Sequence, residues 1–569
     1  MKRTDFSVDW LFAACAPDTE LLPWNAQFTP VDLPHDWQIR HADDLYRDGT
    51  LFYRKYFFVT DVPGTRRMLW FGGAYMDTTV FVNGTEVGQW KYGYTSFWFD
   101  ITDALHEGQN EVLVRCNLRH PNSRWYSGAG LYRNVELWEA PDLHLMPDGL
   151  YVAAKEGDNG AWTVAVTAEA GSVTAASAGR TLTLHLTDDN GSLLGTAAIP
   201  ADAWAALPSP DGWRTGKETA IYKASHTFTL QDPALWDLDA PNFYHITAEL
   251  TGADGVTDTL TTRFGCRTIE ATPDCGLLVN HKRVLIKGVC IHHDFGCLGS
   301  AFEYSAAKRQ LEILKSMGVN SIRTGHTPPA PQFMDLADEM GILMDVESFD
   351  CWRRGKNPYD YGRFFDEWQE KDVAAWVRRD RNHPSLLFWC IGNEIYDTHA
   401  GSEGADTMRM LLAEVAAHDP ARNGIPTLGS NYMPWENTQH CADIIKVAGY
   451  NYGERLYASH HEKHPDWVIY GSETSSIVQS RGIYHFPLSQ SLLSDDDLQC
   501  SSLGNSRTSW GAESWDVCLQ SEQRWPFTLG QYLWTGWDYI GEPTPYHTRS
   551  SYFGTIDTCL LYTSPSPRD

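Results

Sequence analysis

Phe388-Trp389-Cys390-Ile391-Gly392-Asn393-Glu394-Ile395-Tyr396-Asp397 is a short apolar run that stops on an amide and a carboxylate. Leu386 to Ile391 has the length and apolar density of a strand buried on both faces. Gly392 lets the backbone leave the sheet without a Cβ clash. Asn393 and Glu394 then stand at the carboxyl end of that strand, where a (β/α)8 barrel keeps its chemistry. A plainer role also fits, with Glu394 capping the next helix. The stretch alone leaves both readings open.

A second stretch shifts the balance. Asp466-Trp467-Val468-Ile469-Tyr470-Gly471-Ser472-Glu473 has the same form: an apolar strand, a glycine, a polar residue and a glutamate. Two glutamates that each end a buried strand suit glycoside hydrolysis. That reaction needs one carboxyl to protonate the leaving oxygen and one to attack or to activate water. Asn393-Glu394 and Ser472-Glu473 resemble the acid/base and nucleophile motifs of glycoside hydrolase family 2, the family of β-galactosidases, β-glucuronidases and β-mannosidases. The resemblance covers nearly the whole chain.

From Arg267 onward strands alternate with helical patterns. Eight strands are predicted: Val284 to Val289, Ser321 to Arg323, Ile342 to Glu347, Leu386 to Ile391, Pro426 to Ser430, Ile444 to Tyr450, Val468 to Ser472 and Tyr532 to Trp537. A helix over 305–317 is predicted to bury Leu311, Leu314 and Met317. There is room for only seven following helices. Residues 1–141 read as all-β, with an Asn83-Gly84 hairpin signal inside Val80 to Gly88. They resemble the jelly-roll domain that opens the family's enzymes. In Arg124-Trp125-Tyr126-Ser127-Gly128-Ala129-Gly130-Leu131-Tyr132-Arg133 the match is specific. Arg124 and Trp125 either shape the active site or pack a domain interface. Residues 142–268 carry further β patterns, such as Leu182 to Leu186 and Phe243 to Leu250, and suggest an immunoglobulin-like sandwich. The expected fold is therefore a multidomain β plus α/β chain: jelly roll, immunoglobulin-like sandwich, then a TIM barrel over 269–558 that lacks its last helix. Residues 559–569, Cys559 to Asp569, resemble the translation of a sequencing-library adapter and are expected to be non-native.

The 569 residues carry a formal net charge of −28, which argues against nucleic-acid binding and for neutral substrates. Twenty-three tryptophans are many; most are expected in the core, and the excess leans weakly towards carbohydrate, since aromatic faces stack on sugar rings. The amino terminus has no apolar signal region, no run is long enough to span a membrane, and the twelve cysteines form no CxxC pair. A cytoplasmic protein with a carbohydrate partner, and with neither nucleic acid nor membrane, is expected. A homo-oligomer is left open.

The resemblance makes Glu394 the acid/base and Glu473 the nucleophile of a retaining enzyme. The acid then needs burial and a negative neighbour to hold its proton, and the nucleophile needs a cation or donors. Arg323 is the matching cation. His292 and His326 follow the first and second strands and suit sugar hydroxyls, as does Asn393 for the 2-hydroxyl. Tyr452, with Tyr450 as the near alternative, resembles the tyrosine that bonds the nucleophile, and Trp534 the floor of the sugar site. Some family members hold a divalent ion through Glu-x-His. Here the stretch is Glu347-Ser348-Phe349, so no metal and no cofactor are expected. Family glucuronidases grip the substrate carboxylate with Asn-x-Lys after the eighth strand, where this chain has Arg549-Ser550-Ser551-Tyr552-Phe553-Gly554. Gly541-Glu542-Pro543-Thr544-Pro545-Tyr546 looks galactosidase-like. An exo-acting β-galactosidase is expected. The alternatives are a β-glucuronidase or other family glycosidase, or an inactive sugar-binding fragment.

Overall fold

The computed structural model describes residues 1–41, 43–60, 64–174, 180–207, 213–253, 255–476, 513–541, 550–551 and 553–556. Parts of both specificity stretches (542–546, 549 and 552) and the 559–569 tail lie outside them.

The carboxy-terminal part is a closed barrel of eight parallel strands. In order they are β1 (Ile286–Ile291), β2 (Ser321–Thr324), β3 (Leu343–Glu347), β4 (Leu386–Asn393), β5 (Ile425–Ser430), β6 (Val447–Asn451), β7 (Val468–Ser475) and β8 (Gly530–Trp534). β4 and β7 are buried at every residue, as a strand between barrel interior and helix layer must be. β8 closes on β1 through Ile286–Gly530 pairing. Gly530 stands at φ +114°, and a Cβ there would lie 2.3 Å from the Ile286 carbonyl oxygen, so closure depends on glycine at this point.

Several predicted strand boundaries shift, most of them by one to three residues. Lys282–Val284 pairs with Gly276–Val279 in a separate three-stranded sheet, so β1 starts at Ile286. Ile444 and Ile445 end a helix, Glu436–Ile445, and Lys446 at φ +67° reverses the chain into β6. The apolar run across Lys446 joins a helix face to a strand, and its hydrophobicity does not mark the join. β8 stops at Trp534. The helix after β1 is Tyr304–Ser316. It buries Leu311 and Leu314, but Met317 lies just past its end and is 41 % exposed. Among the described residues no helix follows β8, and Tyr539–Ile540 instead pairs with Ser550–Ser551.

Before the barrel come two β-sandwiches. In the first, a four-stranded sheet (Lys2–Asp5, Val135–Pro141, Thr65–Phe71, Phe97–Asp100) accompanies a six-stranded one built around Gly49–Val59 and Gly108–Leu118. Asn83 and Gly84 both take positive φ, as a two-residue hairpin turn requires. The second sandwich holds two four-stranded sheets between His144 and Phe264, and Leu182, Leu184, Leu186, Ile246, Ala248 and Leu250 alternate into its core.

The first sandwich packs against the barrel's carboxyl-end loops. Arg133 Nη2 donates to the Pro328 carbonyl at 2.9 Å and Thr95 Oγ1 to Asp372 Oδ1 at 2.8 Å. The Tyr92 hydroxyl donates to the Ser348 carbonyl. One continuous apolar core joins Tyr75, Tyr94 and Trp125 to Ile291, Phe349 and Trp352. The loop carrying Arg124 is thereby fixed at the barrel mouth.

Candidate active site

Glu473 lies near the end of β7, 3 % exposed. Arg323, fully buried on β2, donates Nη1 to Glu473 Oε1 at 2.8 Å, and the Tyr452 hydroxyl donates to Oε2 at 2.8 Å. Tyr452 holds φ +54°, and its N–H donates to the Glu473 carbonyl, so the turn after β6 aims the phenol. Burial pushes the Glu473 carboxyl above the ordinary glutamate value, and the Glu394 charge adds to this. Arg323 and the Tyr452 bond oppose it. Arg323 Nε also meets Glu347 Oε1 at 2.5 Å. Burial drives Glu347 well up and Asp345 to about 7.

Glu394 follows β4 with φ +47° and its N–H bonded to the Gly429 carbonyl of β5. For a side chain with a Cβ this backbone costs roughly 1–3 kcal/mol, and the surrounding structure must enforce it. Its Oε2 accepts from Arg124 Nη1 at 2.9 Å and its Oε1 from Asn451 Nδ2 at 3.1 Å. A cation is thus in direct contact with this carboxyl, while the expected negative neighbour is Glu473, which shares the mouth with it. Arg124 is itself held by Asp350, through Nε at 3.0 Å and Nη2 at 2.6 Å, and Lys356 Nζ meets the same carboxylate at 2.8 Å. Burial alone would raise Asp350, but Arg124 and Lys356 pull it down to about 2. Asn393 ties the two halves together. Its Oδ1 accepts from Arg323 Nη2 at 2.9 Å and from Asn451 Nδ2 at 3.0 Å, while its Nδ2 donates to Asp350 Oδ1 at 3.1 Å. Asn393 itself is fully buried.

An aromatic wall faces the carboxylates. Trp534 is stacked on His326, with centroids 5.3 Å apart and planes at 6°, and its Nε1 donates to the Tyr539 hydroxyl at 2.9 Å. His292 packs between Trp125, Trp534 and Tyr539. Burial holds His292 down to about 3 and His326 well below the imidazole range, so both rings are neutral. His326 Nδ1 lies 2.9 Å from Glu347 Oε2. A divalent ion does not fit here. Glu347 is taken by Arg323 and His326, the Ser348 hydroxyl donates to the Cys390 carbonyl, and Phe349 stacks on Tyr361 where a ligand would be needed.

Two family descriptions match the chain: "Glycosyl hydrolases family 2" over residues 148–267 and "Glycosyl hydrolases family 2, TIM barrel domain" over 271–461. The β-galactosidase BoGH2A of Bacteroides ovatus is 33 % identical, over 98 % of this chain and 70 % of that enzyme. The chain belongs to glycoside hydrolase family 2. It is a glycosidase acting on carbohydrate. A putative β-glucuronidase of Formosa agariphila is 29 % identical over 95 % of this chain, which spans about half (52 %) of that relative's length. A solved family 2 structure from Bacteroides cellulosilyticus superposes with a TM-score of 0.84 at 27 % identity, covering 99 % of this chain and 70 % of that one.

In this glycosidase the barrel mouth brings together Glu394, Glu473, His292, Arg323, His326, Asn393, Tyr452 and Trp534. Tyr450 turns away, with its hydroxyl 2.9 Å from His460 Nδ1. His293 faces the first sandwich, 3.0 Å from the Ser127 carbonyl. Of the open pair, Arg124 reaches Glu394 and Trp125 the His292 ring. Asp350, Lys356 and Asn451 were not singled out from sequence. Asn451 ends β6, a position that could have flagged it. Asp350 and Lys356 sit on the loop after β3, where periodicity gives no signal.

Proposed function

We propose that this glycosidase is a retaining, exo-acting β-galactosidase. The observation that carries the catalytic reading is the contrast between the two carboxyls: Glu473 is gripped by a buried arginine and a phenol, and Glu394 stands across the mouth. Glu473 Oε attacks the anomeric carbon as the bond to the leaving oxygen breaks, and Glu394 gives its proton to that oxygen. Glu394 then takes a proton from water, whose oxygen displaces Glu473 from the glycosyl ester and restores both carboxyls with β-configured sugar. Arg323 and Tyr452 bond the ionised nucleophile, and Asn393 is assigned to the 2-hydroxyl.

Galactose is supported from two sides. The 33 % identical relative is named a β-galactosidase. Among the described residues at the mouth, Arg323, Arg124 and Lys356 are each already matched by carboxylates. A uronate would bring a charge that none of these three could meet without sharing its carboxylate, at a cost of several kcal/mol. Hydrolysis of nitrophenyl β-galactoside against nitrophenyl β-glucuronide tests the choice, and turnover of the glucuronide alone would overturn it. NMR should show β-galactose as first product, and α-galactose would refute retention.

A further inference from the structure

Beside Glu394 lies a group of rings that the chemistry above does not use. Tyr396 is two residues past Glu394. Tyr432 is three past Gly429, whose carbonyl binds the Glu394 N–H. His399 lies between them, with centroids 4.1 Å from Tyr432 and 5.2 Å from Trp435, and Tyr396 is 6.2 Å from Tyr432. These rings leave large apolar faces in solvent: Trp435 is 55 % exposed and Tyr396 37 %. A core explanation fails at such exposure, and single exposed rings are ordinary where two exposed rings joined through the half-buried Tyr432 and His399 are not. The cluster is continuous with the site. Lys356 Nζ stands 5.8 Å from the Tyr396 ring centre, and burial, with the Glu394 charge adding to it, pushes the Tyr432 phenol up.

We propose that Tyr396, Tyr432 and Trp435 form the leaving-group subsite, and that its occupant is a further sugar ring. The proposal rests on Glu394 being the proton donor, because the donor must lie on the leaving-group side of the scissile bond. A pyranose has C–H faces for the indole and a hydroxyl rim, and here polar tips ring the faces: two phenol hydroxyls, the Asn431 amide and the His399 ring. A chain of net charge −28 suits a neutral ring over an acidic one. The substrate class is therefore a galactoside whose aglycone is itself a sugar.

The test uses the full chain with Trp435→Ala and Trp435→Phe, on methyl β-galactoside, nitrophenyl β-galactoside and the 1→3, 1→4 and 1→6 galactosyl-glucose disaccharides. Trp435→Ala should lower kcat/KM for the disaccharides that the parent cleaves by roughly 3- to 10-fold relative to methyl β-galactoside, and Trp435→Phe should restore most of it. An unchanged disaccharide-to-methyl ratio overturns the subsite, and a loss confined to nitrophenyl β-galactoside overturns the sugar occupant. If Trp435→Ala melts lower than the parent, the Phe variant decides on the same ratio. A parent that cleaves another glycoside but no galactoside refutes the galactosidase reading alone, and the same aglycones on that other sugar then test the subsite.

Discussion

The two sides of the mouth are built differently. Glu473 is held by Arg323 of β2 and Tyr452 just after β6, with Glu347 and His326 behind them, all within or just beyond barrel strands. Glu394 is held by Asn451 of β6 and by Arg124, which lies 270 residues away on the first sandwich and is itself anchored on the loop after β3. The nucleophile side follows from barrel topology alone. The Glu394 side takes one of its two side-chain partners from the first sandwich. On the proposed assignment the covalent chemistry falls to the barrel, and the donor side draws on residues from two domains.

The sharpest way to separate the sides is to remove one carboxylate at a time. Glu473→Gln should leave no measurable turnover on any substrate, because an amide cannot form the glycosyl ester. Glu394→Gln should lose on the order of 10²- to 10⁴-fold on methyl β-galactoside, the range of general acid catalysis, and far less on dinitrophenyl β-galactoside, whose leaving group needs little proton. Rates across a series of leaving groups check this. Equal losses along the series would merge the two sides into one.

The same division governs what could be read from sequence. Buried strands that end in Asn393-Glu394 and Ser472-Glu473 announce a barrel and its carboxylates, since period and strand-end position are local signals. Arg323 is legible for the same reason, whereas Tyr452 rests on the family resemblance, with Tyr450 left open beside it. Asp350 and Lys356 are not, because a loop's fold depends on what docks against it. Arg124 stayed undecided between interface and site because it serves both. The negative neighbour expected for Glu394 is Glu473, but no local pattern could reveal that a cation also arrives from another domain. The Ile444-Ile445 boundary failed for a simpler reason, since helix and strand there share one apolar run.

Tyr452→Phe probes the nucleophile side more gently. The hydroxyl donates to the ionised carboxylate, and a hydrogen bond to a charged group is worth about 1.5–3 kcal/mol, or roughly 1–2 pH units. Glu473 must be ionised to attack, so activity is lost as pH falls through its pKa. Burial already places that pKa above the usual glutamate value of 4.5. Losing a donor that favours the charged form moves it higher. The acid limb of kcat/KM should therefore shift to higher pH, with a pH profile on nitrophenyl β-galactoside as the measurement. A shift to lower pH, or none, would remove Tyr452 from the nucleophile's support.

Arg124→Met tests whether the first sandwich acts on the donor, and it should have the smallest effect. Two carboxylates, Asp350 and Glu394, lose one partner. Asp350 keeps Lys356 at 2.8 Å and the Asn393 amide at 3.1 Å, and Glu394 keeps Asn451 at 3.1 Å. Enough contacts remain for folding. What disappears is the fork that spans Asp350 and Glu394 and fixes the Glu394 carboxyl relative to the leaving oxygen. If that fork orients the donor, the loss should scale with the need for a proton: roughly tenfold on methyl β-galactoside and near parity on the dinitrophenyl substrate. If Arg124 only glues the domains, both substrates should lose alike and the melting temperature should fall with them. Arg124→Lys keeps the charge without the fork. It should resemble Arg124→Met on the leaving-group series if geometry matters, and the parent if charge alone does. Measuring the series and the melt on both variants tells orientation from adhesion, and so decides whether the proton-donor side is a two-domain device or a barrel site with a lid resting on it.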